Sequence, residues 1–424
     1  MRSLAYALVW VFVFAMPWEN AVVLPGVGTI TRVLGLVTFG AGVLAAVMDG
    51  KFRRPGLFLV VTTLFVIWSL TSAFWAIDSF EVVRRSKTYA QLALMVWLLW
   101  ELAPSGRSYV HALQAYVLGA FVVAGATLWN YLSGAVAIEA RYTAAESNAN
   151  DLAMILVLAI PIAWYLSLVA HGWFWRWTNR LYVPIGVIAV LLTASRGGLI
   201  TTLVALTIVL WTVGSIRWTT RIAVVALLVV GAFGVSKVVP QSSWERLATT
   251  HRNLQSGDIG SRGVIWRAGL RAFDDHKLAG VGAGGFGYAV EPELGREFAA
   301  HNAFIAVLVE LGFVGLALFG ALFVAAIRPW DHFASTDSRF RIVLFATLVI
   351  GVMPLNWDYA KPMWFVLTML ATQPAMPKRS RAGWIARQAI SAVPLTTAAS
   401  RRRAVGAVGE ASPQPVSPHG GGVA

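Results

Sequence analysis

The stretch LLTASRGGLI, residues 191–200, sets a single guanidinium, Arg196, between two apolar runs. A charge that close to hydrocarbon is costly and is usually kept for function. A guanidinium fork matches phosphate oxygens through paired hydrogen bonds and stays charged when partly desolvated. Further on, GSRGVIWRAGLRAFDDH, residues 260–276, places Arg262, Arg267 and Arg271 beside apolar Ile265, Trp266, Ala268, Leu270 and Phe273. The pattern predicts an amphipathic helix on the outer membrane surface, its arginines either snorkelling to headgroups or holding a ligand. Arg267 and Arg271 share a face, whereas Arg262 lies about 140° from Arg267, so one regular helix cannot aim all three at one ligand. HNAFIAVLVELGFVGLALF, 301–319, puts His301 at the mouth of an apolar run, as a base working near neutral pH or as an interfacial hydrogen-bonding group. Glu310 falls about 13 Å deeper on the opposite face, which predicts a partner on another helix rather than a role in orienting His301.

Two further patterns attract chemistry less. GVGAGGFGYA, 280–289, satisfies G-x-G-x-x-G through Gly280, Gly282 and Gly285, but no strand–turn–helix unit surrounds it. It predicts a backbone turn able to approach the membrane or a ligand closely. Asp274, Asp275 and His276 are consecutive, and adjacent loop residues rarely share a metal's ligand geometry. No histidine–carboxylate cluster demands a metal, and no cofactor is expected.

The elements that must position these groups are membrane helices. Hydrophobic residues make up 58% of the chain and charged ones 13%, with repeated apolar runs of the length that crosses a bilayer. The predicted class is all-α and polytopic, with about twelve spans near 4–17, 28–48, 56–76, 86–103, 108–133, 150–170, 181–195, 197–214, 220–239, 301–327, 339–355 and 360–375. Residues 1–376 form this membrane domain, whose one long loop, roughly 240–300, carries short helices; residues 377–424 are expected to be a disordered basic tail. The basic N-terminus is read as the first span, since no small-x-small cleavage site precedes Pro17.

Charge sets the expected orientation. Lys51, Arg53, Arg54, Arg107, Arg176, Arg180, Arg217, Arg221, Arg328, Arg339 and Arg341 fall in short connections on one side, which the positive-inside bias makes cytoplasmic, with both termini. Arg196 and the long loop then face outward. The net charge of +14 reads as topology rather than nucleic-acid binding, because no basic stripe interleaves with stacking aromatics. With no cysteine, thiolate nucleophiles and disulfides are excluded.

Taken in order, SRGG at the outer end of a span, SRxxxW and GVGxGxF in a long outer loop, and HNxFxxxxxExGxxG at the next span resemble the O-antigen ligase and polymerase family. RYTAAESNAND, 141–151, is similar to that family's arginine-then-asparagine segment before a span, with Asn150 at the matching place. The resemblance covers about 140–320 and implies a bacterial inner-membrane glycosyltransferase, independent of metal. Such enzymes take a glycan from undecaprenyl diphosphate at the outer face and join it to a hydroxyl of lipid A core or another glycan. By that resemblance Arg196 and Arg262 hold the donor diphosphate and His301 is catalytic, with Asn150, Arg141, Asn302 and Arg267 as accessory candidates. Membrane lipids complete the expected partners.

The chemistry of the residues agrees. Direct displacement with His301 as base would invert the anomeric centre, since no second carboxylate is placed to form a covalent intermediate. A secondary transporter would carry ionisable or unwound segments near mid-membrane, and a glycolipid-binding scaffold would tolerate loss of His301. Ligase and polymerase share a donor and differ in acceptor, which the sequence leaves open.

Overall fold

A computed structural model of the chain describes residues 1–26, 28–50, 52–102, 106–134, 142–144, 148–170, 172–215, 218–219, 222, 261–327 and 335–372. Among the described residues, the α-helices before the long loop are α1 (Arg2–Ala15), α2 (Ile30–Asp49), α3 (Leu57–Thr71), α4 (Ser79–Leu102), α5 (Gly106–Leu132), α6 (Ala149–Val169), α7 (Trp173–Leu192) and α8 (Arg196–Thr212). Within the loop lie α9 (Ser261–Asp274) and α10 (Phe286–Leu294), and after it come α11 (Ala303–Ile327), α12 (Thr336–Val352) and α13 (Lys361–Ala371). The one sheet among the described residues pairs Val23–Leu24 with Gly28–Thr29, antiparallel, Val23 opposite Thr29.

Each expected span meets one of these helices except 220–239, of which only residue 222 is described; Arg141, Arg246, Arg252 and the tail lie outside the described residues. Among the described residues six segments are long and apolar enough to cross a membrane: Arg2–Ala21, Ile30–Asp49, Leu57–Phe74, Gly106–Leu132, Ala149–Val169 and Ala303–Ile327; α8 is apolar but shorter. The described chain is an all-α polytopic membrane protein. Leu36, Leu203, Leu210 and Val324 point out of the bundle, as side chains facing lipid do.

Helix boundaries differ from the apolar windows where a cap or an interfacial segment extends the helix. α4 starts at Ser79 rather than near 86, because Asp78 Oδ1 accepts from the N–H groups of Phe80 (2.7 Å) and Glu81 (3.3 Å). α7 starts at Trp173 rather than near 181, since the mixed segment WFWRWTNR is helical without being apolar enough for a hydropathy window.

At the centre stands α6, apolar all round and buried on nearly every side by α5, α7, α8 and α12. Consecutive helices run in opposite directions, so contacts sort into two ends. At one, Arg2 bridges Asp49 and Glu101, Tyr6 Oη donates to Ser108 O, and Gln114 pairs with Asn179. At the other, Lys361 pairs with Glu19, Ser195 with Asn150, and Trp357 with Asp151.

The glycine-rich turn closes on the backbone of α11. α11 is broken at Gly312 (φ 69°, ψ −168°), and the segment 277–285 lies against the break. Val281 N–H donates to Val309 O (3.0 Å), Gly282 N–H to Glu310 O (2.9 Å), and Phe313 N–H to Lys277 O (2.9 Å), while Trp68 Nε1 donates to Leu311 O (3.0 Å). Those bonds satisfy the backbone groups that a break would otherwise leave bare near hydrocarbon. A Cβ at Gly280 or Gly312, both at positive φ, would overlap the opposing backbone, so glycine is required at each.

Candidate functional site

α9 is the helix expected within residues 260–276, but its apolar face packs on protein rather than lying open to lipid. Ile265, Ala268 and Phe273 are buried with Val281, Phe286, Val290, Ala300, Ala306 and Val309, whereas Leu270 is exposed. Trp266 Nε1 donates to Ala300 O at 2.7 Å and fixes this helix to the residue before His301. Arg262 is four residues before Trp266 on the same face, so that bond also delivers Arg262 to His301. Burial and the neighbouring Arg262 charge lower the imidazole's basicity, while the Asp151 carboxylate opposes them.

The other two arginines go elsewhere. Arg271 pairs with Glu293 at 2.8 Å, and Arg267 Nε donates to Gly263 O of its own helix at 3.2 Å with the side chain exposed. Asn302 caps α11: its Oδ1 accepts from the N–H groups of Phe304 (2.9 Å) and Ile305 (3.0 Å). His301 therefore sits just ahead of the helix, its backbone held on one side by Trp266 and on the other by this cap.

Arg196 is the first residue of α8. Ser195 is its N-cap, accepting from Gly198 N–H at 3.2 Å, and Ser195 Oγ donates to Asn150 Oδ1 at 2.8 Å. Gly197 packs against Pro354. Tyr142 N–H donates to Leu192 O at 3.0 Å, so the segment that follows Arg141 docks on the end of α7 beside this turn. Among the described residues the non-glycine positions at positive φ are Ala194 (48°) and His301 (49°). Such backbone costs free energy and persists where the surroundings over-determine it, a pattern common at functional sites.

One residue to which the sequence assigns no role links the turn of Arg196 to His301. Asp151, next to Asn150 in the first turn of α6, accepts from Trp357 Nε1 at 2.8 Å and acts electrostatically on His301. No motif marks it, and an acid in a first helical turn reads simply as a favourable dipole partner. The first turn of α6 thus holds the residue before Arg196 through Asn150 and faces His301 through Asp151.

Glu310 finds its partner on another helix, as expected. Its Oε2 accepts from Gly284 N–H at 2.7 Å, and it faces Arg85 of α4, which pairs with Asp358 at 3.2 Å and lies 3.9 Å over the Tyr359 ring. Tyr89 Oη completes the cluster, donating to Asp358 Oδ2 at 2.6 Å.

No curated protein and no solved structure matches the chain. Residues 181–320 match the family model described as O-antigen ligase, a stretch running from α7 to the broken helix α11. It contains Arg196, Arg262 and His301, so all three lie in the stretch over which the chain is similar to the O-antigen ligase family.

Proposed function

We propose that the protein transfers a glycan from undecaprenyl diphosphate to an acceptor hydroxyl at the outer face of the bacterial inner membrane. The observation that carries this reading is the delivery of Arg262 to His301 by the Trp266–Ala300 bond. It sets an anion-binding group beside a base of lowered pKa, which stays neutral and able to accept a proton at physiological pH.

The acceptor oxygen attacks the anomeric carbon as its proton passes to His301. The bond from that carbon to the diphosphate oxygen breaks, and the electron pair leaves with the diphosphate. Arg196 and Arg262 stabilise the charge that develops on the leaving group, and His301 then releases its proton to water. Base assistance of this kind supplies about 10²–10⁴-fold, and the arginines a comparable or larger share. Attack opposite the departing diphosphate inverts the anomeric centre.

In this reading both termini are cytoplasmic, and Arg53, Arg176 and Arg339, at the end of the bundle away from His301, face the inner leaflet. Asn150 supports the turn that carries Arg196, and Asn302 positions His301 through its cap. Arg141, outside the described residues, is kept in this reading as an accessory group for the donor.

The test is Arg196→Ala, Arg262→Ala and His301→Ala in cells, scoring polymer joined to acceptor at equal protein levels. Full activity in all three refutes the assignment. Purified protein given lipid-linked donor alone, then donor with lipid A core, separates the two members of the family: chain growth without core is polymerase chemistry, and transfer only with core is ligase chemistry.

A further inference from the structure

The far end of α7 from Arg196 holds a second cationic site that the transfer chemistry does not use. A helix of this length puts it about 30 Å from Arg196. Arg180 is only 7% exposed, and its Nε is buried with no hydrogen-bond partner. Its guanidinium lies 5.1 Å over the Trp177 ring, and the charge that acts on it is the like charge of Arg176, one helical turn earlier. Among the described residues no carboxylate faces it. The nearest polar side chain on its own helix, Asn179, is fully engaged, exchanging hydrogen bonds with Gln114 (3.1 and 2.8 Å) and donating to Trp175 O (2.9 Å).

A buried guanidinium without an anion is strongly disfavoured, so the arrangement calls for one. The start of α7 is built to receive it. Gly172 is the N-cap and offers no side-chain acceptor, which leaves first-turn N–H groups and the positive end of the helix dipole open to an anion. Arg176 folds back to the same place, its Nε donating to Ala170 O at 3.0 Å. Helical side chains slant toward the N-terminus, so Arg176 and Arg180, four apart on one face, both reach toward that start. Trp173, Phe174 and Trp175 stand exposed around it at 74%, 63% and 40%, the aromatic fringe found at headgroup level in membranes.

We propose that the start of α7 binds a phosphate-bearing anion through Arg180, Arg176 and the uncapped N–H groups of its first turn. The aromatic fringe favours a lipid phosphodiester over soluble phosphate. Full-length protein in detergent is titrated with phosphatidylglycerol or phosphatidylcholine and read by native mass spectrometry. Wild type is expected to retain phosphatidylglycerol about tenfold better, the worth of one charge-assisted hydrogen bond. Arg180→Met and Arg176→Gln each remove that preference, whereas Arg107→Gln, at the same end of the bundle, keeps it. Arg176 is exposed, so its variant stays informative if Arg180→Met does not fold. In a second arm, inorganic phosphate that binds wild type but not the Arg176 variant, with lipid retention equal in both, identifies soluble phosphate as the ligand. Equal retention of both lipids by wild type together with no phosphate binding overturns the site.

Discussion

Ser195 Oγ donates to Asn150 Oδ1 at 2.8 Å, tying the turn that carries Arg196 to the first turn of the central helix α6. The same hydroxyl accepts from Gly198 N–H, so one small side chain both caps α8 and fixes its start against the bundle.

Ser195→Ala removes both bonds. It is expected to cost about 0.5–2 kcal/mol for the lost cap, visible as a lower unfolding temperature. Asn150→Ala keeps the cap and should cost less, while lowering transfer through displacement of Arg196. A wild-type transfer rate in both variants at equal protein levels would show that the turn needs no such tether.

The histidine gives a pH signature. His301 must be neutral to accept a proton, and burial with Arg262 nearby lowers its pKa, so kcat/KM should fall only below the usual histidine range of about 6.5. Arg262→Gln removes a lowering influence and should move that acid limb up in pH, on a reduced rate. Asp151→Asn removes the raising influence and should move it down. Limbs that coincide in all three proteins would mean that neither charge acts on the titrating group.

The break in α11 admits no side chain at its two close approaches. Gly280→Ala and Gly312→Ala each force a Cβ into the opposing backbone from a positive φ. Each should destabilise by more than about 2 kcal/mol, the combined effect of strain and displaced backbone bonds. Gly295→Ala provides the comparison: it also sits at positive φ but would meet nothing within 4 Å. It should cost only about 1 kcal/mol. Thermal unfolding followed by loss of the folded peak in size-exclusion chromatography ranks the three.

The pair of partly buried Arg85 and buried Asp358 should behave as a unit. Removing one partner leaves a buried charge uncompensated, so Arg85→Met or Asp358→Asn alone is expected to cost about 3–5 kcal/mol. Glu310 also faces Arg85, which makes Arg85→Met the more damaging of the two. The double variant should recover part of the loss, and strict additivity would show the two side chains to be energetically independent.

Arg267→Ala is the contrast within α9. Its side chain is exposed and reaches only its own helix, so stability should change by no more than about 0.5 kcal/mol. Transfer should remain near wild type while Arg262→Ala abolishes it.

The membrane class and the order of helices were legible in the sequence, because they are local properties. An apolar run partitions into lipid by its own composition, and an isolated charge beside it is conspicuous wherever the chain goes. The geometry of α9 separated Arg262 from Arg267 in advance, and the depth of Glu310 pointed to a partner on another helix. The start of α7 was missed because a hydropathy window measures apolarity and not helicity.

What only the tertiary structure decided depends on residues far apart in the chain. Trp266 reaches Ala300, and that bond brings Arg262 to His301. Asp151 faces His301 only because α6 is packed at the centre of the bundle, and no neighbour in sequence signals it. The glycine-rich turn was expected to approach the membrane or a ligand closely; the backbone it approaches is that of α11, whose carbonyls at the break accept its N–H groups where water is scarce.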